Sequence, residues 1–542
     1  MTHHRRRLGG WGFEGQTMAP SFELLAWLGE HIGPAAHPVP AVVAPPPELP
    51  HDDLGELPAE VSTDSLDRLA HARGQGLVDV LRLRGDLVPA VPDGVCRPTD
   101  TDEVEAVLRT CSSRDIRVIP WGGGTSVTGG VNVLAGDAPV LSLDLERLSD
   151  CSAIDEYSGL ATFGPGTTGP GVEASLAGHG LTLGHFPQSW ELATVGGWVA
   201  TRSSGQESLG YGRIEDMVAG LELVAPEGRL RVPTGPASAA GPDLGRFVMG
   251  SEGRFGVITE ATLRVRPRPE ETAVAGAVLP NLEYGLEAVR ELVGGGVPLT
   301  MIRLSDKPET QVAMAVGLGK SRLAPVINRY LALRGIGDDA CLMLFGAAGD
   351  SGGMGDCLRS AREIIRRRRG ISLGRQPGRH WLRDRFRHPY LRESLLDIGY
   401  ATDTLETAAT WSSALALREA MTASIANALE GEDERVAVLC HVSHPYRDGA
   451  SLYFTFFFRC AASTDETIAR WARIKRAATD QLIASRATVS HHHGIGQWHA
   501  PWLEAEIGAE GMAVIAAAAN SLDPAGIMNP HVLLDAEDRL EL

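Results

Sequence analysis

Apolar and polar residues alternate most regularly between residues 93 and 270. "DAPVLSLDLERLS", "SGLATFGPG", "RIEDMVAGLELVAPEGRLRVP" and "GVITEATLRVRPRP" all carry the two-residue period of half-buried strands. Between them, "TDTDEVEAVLRTCSSRDI" predicts a helix opened by acidic caps, and "GPGVEASLAGHG" a second helical piece. "RVIPW" predicts a short strand that runs into glycines. Residues 93–270 therefore read as one α+β unit. A second unit, 271–480, opens with the helix pattern "NLEYGLEAVRELVGGG" and reaches the strand "ASLYFTFFFR". The segment 481–542 carries a further helix, "EAEIGAEGMAVIAAAANSL", and the turn "DPAGIMNP". Residues 1–92 form an extension. Its "FELLAWLGEHIG" predicts a short amphipathic helix, and its Pro-rich stretch 34–60 a linker or wrapped segment.

Length narrows this little: 542 residues allow roughly three to four domain-sized units. The formal charge of −18 argues against general nucleic-acid binding, which needs a basic surface. Seven scattered cysteines without CxxC spacing fit reduced thiols better than a disulfide framework or a zinc ribbon. No apolar run reaches the roughly eighteen residues of a membrane span, "MTHHRRRLGG" lacks the apolar core of a secretory signal, and "EDRLEL" is no peroxisomal address. A cytoplasmic protein is expected, with at most peripheral membrane contact. Between Arg359 and Arg392 lie a dozen arginines, including Arg366–Arg369. They read either as a solvated helix face or as a basic rim that meets anionic lipid.

Candidate chemistry concentrates in glycine-rich loops and one histidine run. "PWGGGTSVTGG" (Pro120–Gly130) is neither a P-loop nor a dinucleotide fingerprint. It is either a tight turn or a concavity of bare amides suited to pyrophosphate. "GHFPQSWELATVGGWVATRSSG" supplies hydroxyls and glycines for a flat, polar-edged ligand, and "GSEGRFGVIT" places glycines before a strand. "VSHHHGIG" places three imidazoles before a glycine-x-glycine bend, so an acid–base centre and a metal site both stay open. If the run is extended, His491 and His493 face one way and His492 the other.

In order and spacing, "GGGTSV", "TVGGWVATRSSG", "GSEGRFGVITEATLRVRP", "YLRESLL", "LET", "LYFTFFF" and "SHHHGIG" resemble flavoproteins of the vanillyl-alcohol oxidase and p-cresol methylhydroxylase type. Within that superfamily the chain is most similar to the alkylglycerone-phosphate synthase family, over roughly residues 90–535. The resemblance implies a two-lobed FAD-binding domain (93–270), an α/β cap (271–480), a C-terminal segment completing the active site (481–542), and a helical N-terminal extension (1–92). It implies that Pro120, Trp121, Gly122, Gly123, Gly124, Thr125 and Ser126 hold the pyrophosphate. Gln188, Ser189, Trp190, Glu191, Leu192, Ala193, Thr194, Thr201, Arg202, Ser203 and Ser204 would line the flavin and ribityl chain. Glu252, Gly253, Arg254, Phe255, Gly256, Val257 and Ile258 would lie on the adenosine side. Relatives that tether FAD covalently do so through a histidine in the first loop. None stands there in this chain, so a non-covalent flavin is expected.

The family exchanges the acyl group of acyl-dihydroxyacetone phosphate for a fatty alcohol, without net redox change. Carried over residue by residue, Tyr453 is the acid–base tyrosine, Arg392 the receiver of the departing carboxylate and Arg303 a holder of the substrate's polar head. His491, His492, His493 and His185 become active-site histidines. Read without the family, Tyr453 is an edge tyrosine of an apolar strand and Arg392 an exposed helix arginine. The chain departs from the family at Gln188 (aspartate there), Gln497 (lysine) and His441 (arginine in higher organisms). Flavin-linked D-2-hydroxyacid dehydrogenases share the fold and bind a divalent metal at the corresponding place. Oxidation of a 2-hydroxy acid, with His441, His444, His492 and His493 as metal candidates, is therefore the rival reading. A flavin-binding protein without catalysis is a third. The reading adopted is the synthase-like one, with no metal; a homodimer is the family expectation.

Overall fold

The computed structural model describes residues 6–41, 48–85, 90–136, 138–318, 324–534 and 540, with backbone only for 317, 318 and 324–328. Part of the Pro-rich stretch (42–47) and most of "EDRLEL" lie outside the described residues. The first α+β unit contains two sheets. One is four-stranded: Val61–Ser62, Gly94–Cys96, Val140–Asp144 and Arg117–Trp121 lie in that spatial order, the last three parallel. Its core includes Val104, Leu108 and Cys111 from the helix Thr101–Arg114, which Asp100 caps through the Glu103 amide. The other is a five-stranded antiparallel sheet of Cys151–Asp155, Leu160–Phe163, Val257–Arg264, Val218–Ala225 and Gly228–Val232.

The boundary expected at residue 92 cuts through the first sheet, because Val61 and Ser62 pair with Cys96 and Val95. Two residues are too short to show a period, so this strand leaves no pattern in the sequence. The tail also returns to the flavin unit. The Val118 amide donates to Ile527 O, the Asn529 amide to Val118 O, and Ile527 and Met528 enter that core.

The cap is one seven-stranded antiparallel sheet. Its order is Ile371–Gly374, Glu271–Leu279, Cys341–Gly349, Met301–Ser305, Ala437–Pro445, Gly449–Arg459 and Tyr400–Thr410. Along Gly449–Arg459 the two-residue period decides everything that follows. Phe454, Phe456 and Phe458 are fully buried in the main core, while Tyr453 and Thr455 project from the opposite face. Each phenylalanine contributes about 1.5–3 kcal/mol through burial, which fixes the strand's register and so the place of Tyr453.

Candidate active site

Tyr453 lies between Glu406 and His441 across three neighbouring strands, because Glu406 pairs in register with Tyr453 and Tyr453 with His441. Its ring stacks on His441 (centroids 5.1 Å apart) and on His492 (6.0 Å), and meets His493 edge-on (5.7 Å). The phenol donates to Thr404 Oγ1 at 3.1 Å, and burial pushes it up to about 12, so it rests protonated. His441 and His444 are three residues apart, which strict alternation would place on opposite faces. A register shift between Val442 and His444 re-aims the second, so His444 also reaches the cluster, stacked on His491 at 5.2 Å.

The triple histidine does not run extended. It bends around the buried carboxylate of Glu406, which accepts the amides of His491 (2.6 Å), His492 (3.0 Å) and His493 (2.8 Å) and the Ser490 hydroxyl (2.9 Å). Three consecutive amides aimed at one anion cannot keep the alternation of a strand, so all three rings gather on one side. Burial pushes Glu406 upward, but the three imidazoles and these hydrogen bonds hold it well below the usual carboxylate range. Glu252 holds the following bend, accepting from the Ile495 and Gly496 amides at 2.7 and 2.8 Å. Gly494 (φ +88°) passes so close that a Cβ there would meet the Glu252 carboxylate at 3.0 Å. Burial raises Glu252 to about 7, against those two amides.

Burial, ahead of neighbouring charges, lowers the pKa of His441, His444, His491, His492 and His493, with His492 at about 3. The shifts favour neutral rings near pH 7, and a ring lowered as far as His492 is a weak base that holds a proton only briefly. The ligand atoms of His444, His491 and His492 lie within 4.8 Å of one another. His491, however, uses Nε2 on the Tyr446 hydroxyl (2.6 Å) and Nδ1 on His492 Nδ1 (2.9 Å), and His444 Nδ1 meets the Ser208 hydroxyl at 2.9 Å. One imidazole–imidazole hydrogen bond thus links His492 through His491 to Tyr446, a path for a proton, while the three converging ligand atoms also have the spacing of a metal site.

The glycine loops meet beside this cluster. Gly122, Gly123 and Gly124 leave no room for a side chain. A Cβ would strike Thr194 Oγ1, Leu192 O and the Trp121 ring respectively, and Gly124 sits at φ +61°. The first loop thus lies directly against Leu192–Thr194. Thr194 Oγ1, Trp190 Nε1 and His185 Nδ1 are buried without a partner, as donors and acceptors reserved for a polar ligand would be. A bare-amide loop, an apposed hydroxyl-bearing loop and unpartnered polar atoms fit FAD.

His185 is buried, with its Nε2 on Ser203 Oγ (3.1 Å) and its ring edge-on to Trp198, and burial lowers it to about 3. It belongs to the flavin loops and not to the rings around Tyr453. Gln188 donates to the Arg385 carbonyl at 2.5 Å. Arg254 reaches Met528 O and Asp523 in the returning tail.

Arg303 pairs with Glu309, which also meets His441 Nδ1 at 3.2 Å. Arg392 donates to Glu393 Oε1 (2.8 and 3.1 Å) and to Gln75 O (2.5 Å). Both expected substrate-binding arginines therefore already hold protein partners. The arginine-rich stretch is largely paired as well. Arg367 and Arg368 pair with Glu291, Arg369 lies over Tyr284, and Arg385 pairs with Glu207 beneath Phe186. Among the described residues no helix is long and apolar enough to cross a membrane.

Glu406, Glu309 and Tyr446 are site residues that no pattern in the sequence singles out. Glu406 is touched only by the family triplet "LET", because its partners are backbone amides 85 residues or more further on.

Residues 92–232 match the FAD binding domain model, and residues 268–533 that of the FAD linked oxidases, C-terminal domain. The chain is 31% identical over 504 residues to the alkyldihydroxyacetonephosphate synthase of Trypanosoma brucei brucei, covering 90% of this chain and 82% of that one. Its identity to the synthase of Dictyostelium discoideum is 30% over 484 residues, covering 88% and 79%. A solved alkyldihydroxyacetonephosphate synthase superposes with a TM-score of 0.79 at 26% identity, over 97% of this chain and 98% of that one. The fold, shared with p-cresol methylhydroxylase at a TM-score of 0.62 and 13% identity, is the expected two-lobed flavin domain with its cap. Its cofactor is FAD, and the chain belongs to the alkyldihydroxyacetonephosphate synthase family.

Proposed function

We propose that this enzyme replaces the acyl group of an acyl-dihydroxyacetone phosphate by a fatty alcohol, releasing a fatty acid and forming an ether bond without net redox change. The observation that carries this reading is geometric: the Tyr453 ring stacks on His441 and His492 and meets His493 edge-on, so a phenol and several imidazoles share one partly buried site. Exchange of a carboxylate for an alcohol needs a proton removed and returned at the ketone-adjacent carbon and another taken from the alcohol. His493 accepts the carbon-bound proton and Tyr453 returns one to that carbon, being reprotonated in turn; His492 accepts the alcohol's proton, which leaves through His491 and Tyr446 as the fatty acid departs as its carboxylate. Arg392 keeps its bonds to Gln75 O and Glu393 and meets the departing carboxylate with the N–H groups these leave free. Arg303 holds the polar head in exchange for part of its contact with Glu309. His185 holds Ser203, which would be among the residues that meet the flavin, and non-covalent FAD would supply an electron-accepting ring system there.

Two results separate this from oxidation of a 2-hydroxy acid. A panel of such acids is expected to reduce neither the flavin nor an added dye; steady dye reduction would put the enzyme in the dehydrogenase branch. Dialysis against EDTA is expected to leave turnover unchanged, with substoichiometric metal in the purified protein. One equivalent of zinc or iron, lost together with activity, would instead make His444, His491 and His492 ligands.

A further inference from the structure

The segment Arg6–Thr17 is not a loose extension. Arg6 and Phe13 form an isolated antiparallel bridge, closed by the Arg7 amide on Gly12 O. Trp11 is buried with Leu192 of the flavin loop and Tyr390 of the cap, and the Tyr390 hydroxyl donates to Gln16 Oε1 at 2.7 Å. The Trp11 amide reaches Glu393 Oε1 (3.3 Å), and Arg84 ties Gly9 O (3.0 Å) to Glu393 Oε2 (2.8 Å). At the open end of this hairpin, Arg6 Nη2 donates to the carbonyl of Gly123 at 2.8 Å.

That carbonyl belongs to the middle of the first glycine loop. In a planar trans peptide the carbonyl and the following amide point in opposite directions, so a guanidinium on Gly123 O fixes the direction in which the Gly124 amide points. The far end of the same loop is held from the same hub. Glu393 pairs with Arg392, Arg392 donates to Gln75 O, and the Gln75 amide donates to Ser126 O at 2.6 Å. The loop is therefore gripped at Gly123 and at Ser126 by two chains that meet on Glu393, whose side chain is 1% exposed. Glycines without side chains have no stiffness of their own, so their direction has to come from such contacts.

We propose that Arg6, presented by the Arg6–Thr17 hairpin, is a positioning residue for FAD. It orients the pyrophosphate-binding amides of Gly122–Ser126 through the Gly123 carbonyl, and Glu393 links this grip to Arg392. The proposal rests on the assignment of that loop to the FAD pyrophosphate.

The test is FAD and ADP binding to full-length apoprotein by fluorescence titration, for wild type, Arg6→Met and Arg6→Lys. Arg6→Met is expected to weaken FAD and ADP by the same factor, about ten- to hundredfold, as loss of one charge-assisted hydrogen bond predicts. Riboflavin, which has no pyrophosphate, should bind unchanged, and Arg6→Lys should recover most of the loss. The melting temperature of the apoprotein should stay the same. Wild-type affinity in Arg6→Met overturns the role of Arg6 while leaving FAD binding itself established. An equal loss for riboflavin, or a matching fall in apoprotein stability, overturns it too, by making the hairpin merely structural.

Discussion

Tyr453→Phe is expected to lower turnover by about 10²–10⁴-fold, the range for loss of a positioned proton donor, while FAD content stays unchanged. The aromatic ring, its stacking on His441 and His492 and the apolar strand around it all remain; only the hydroxyl and its bond to Thr404 are lost. Burial pushes the phenol up to about 12, so no tyrosine limb should enter the rate between pH 6 and about 10. Steady-state rates and flavin absorbance check both statements. A Tyr453→Phe enzyme within threefold of wild type would leave proton return to another group.

Glu406→Gln should have the second large effect, and by another route. The carboxylate touches no flavin loop; it organises the histidines. An amide nitrogen in place of either oxygen would face an N–H or a hydroxyl that now has an acceptor, at a cost of about 1–3 kcal/mol for each group left unpaired. The His491–His493 segment should then open, with faster amide hydrogen exchange across residues 488–497 and a loss of turnover of about 100-fold or more. The pH dependence has a definite sign. Glu406 is depressed in the folded protein, so its stabilisation is complete above its ordinary value of 4.5 and is lost as pH falls from there toward its folded pKa. Exchange protection of the histidine segment should therefore fail on the acid side below about pH 4.5. Protection unchanged in Glu406→Gln would contradict the role assigned to the carboxylate.

These two residues also mark how far the site could be read from sequence. Tyr453 is marked as a site residue only by the family resemblance, since the pattern of "LYFTFFF" by itself gives an edge tyrosine of an apolar strand. The triple histidine stood out on its own, as polar residues where a packed segment would not spend them. Its bent shape was not legible, since an extended run is the default until something captures its amides. Glu406 captures them through a cross-strand register that brings "LET" opposite Tyr453. The resemblance puts Glu252 on the adenosine side of the flavin site, and its carboxylate holds the Ile495 and Gly496 amides, a contact no local pattern encodes. The arginines were recognised by type and place, but their carboxylate partners, Glu309 and Glu393, come from contacts that no periodicity encodes. The hairpin at Arg6–Thr17 has three turn glycines at positive φ and no period at all, so pattern reading left it as an extension.

The most direct measurement is exchange with labelled alcohol. Purified holoprotein is given palmitoyl-dihydroxyacetone phosphate and labelled hexadecanol, with no electron acceptor present. The account predicts label in an ether-linked phosphate product, with one palmitate released for each ether formed. No label in the ether fraction, with the flavin instead bleached by a 2-hydroxy acid, would contradict it.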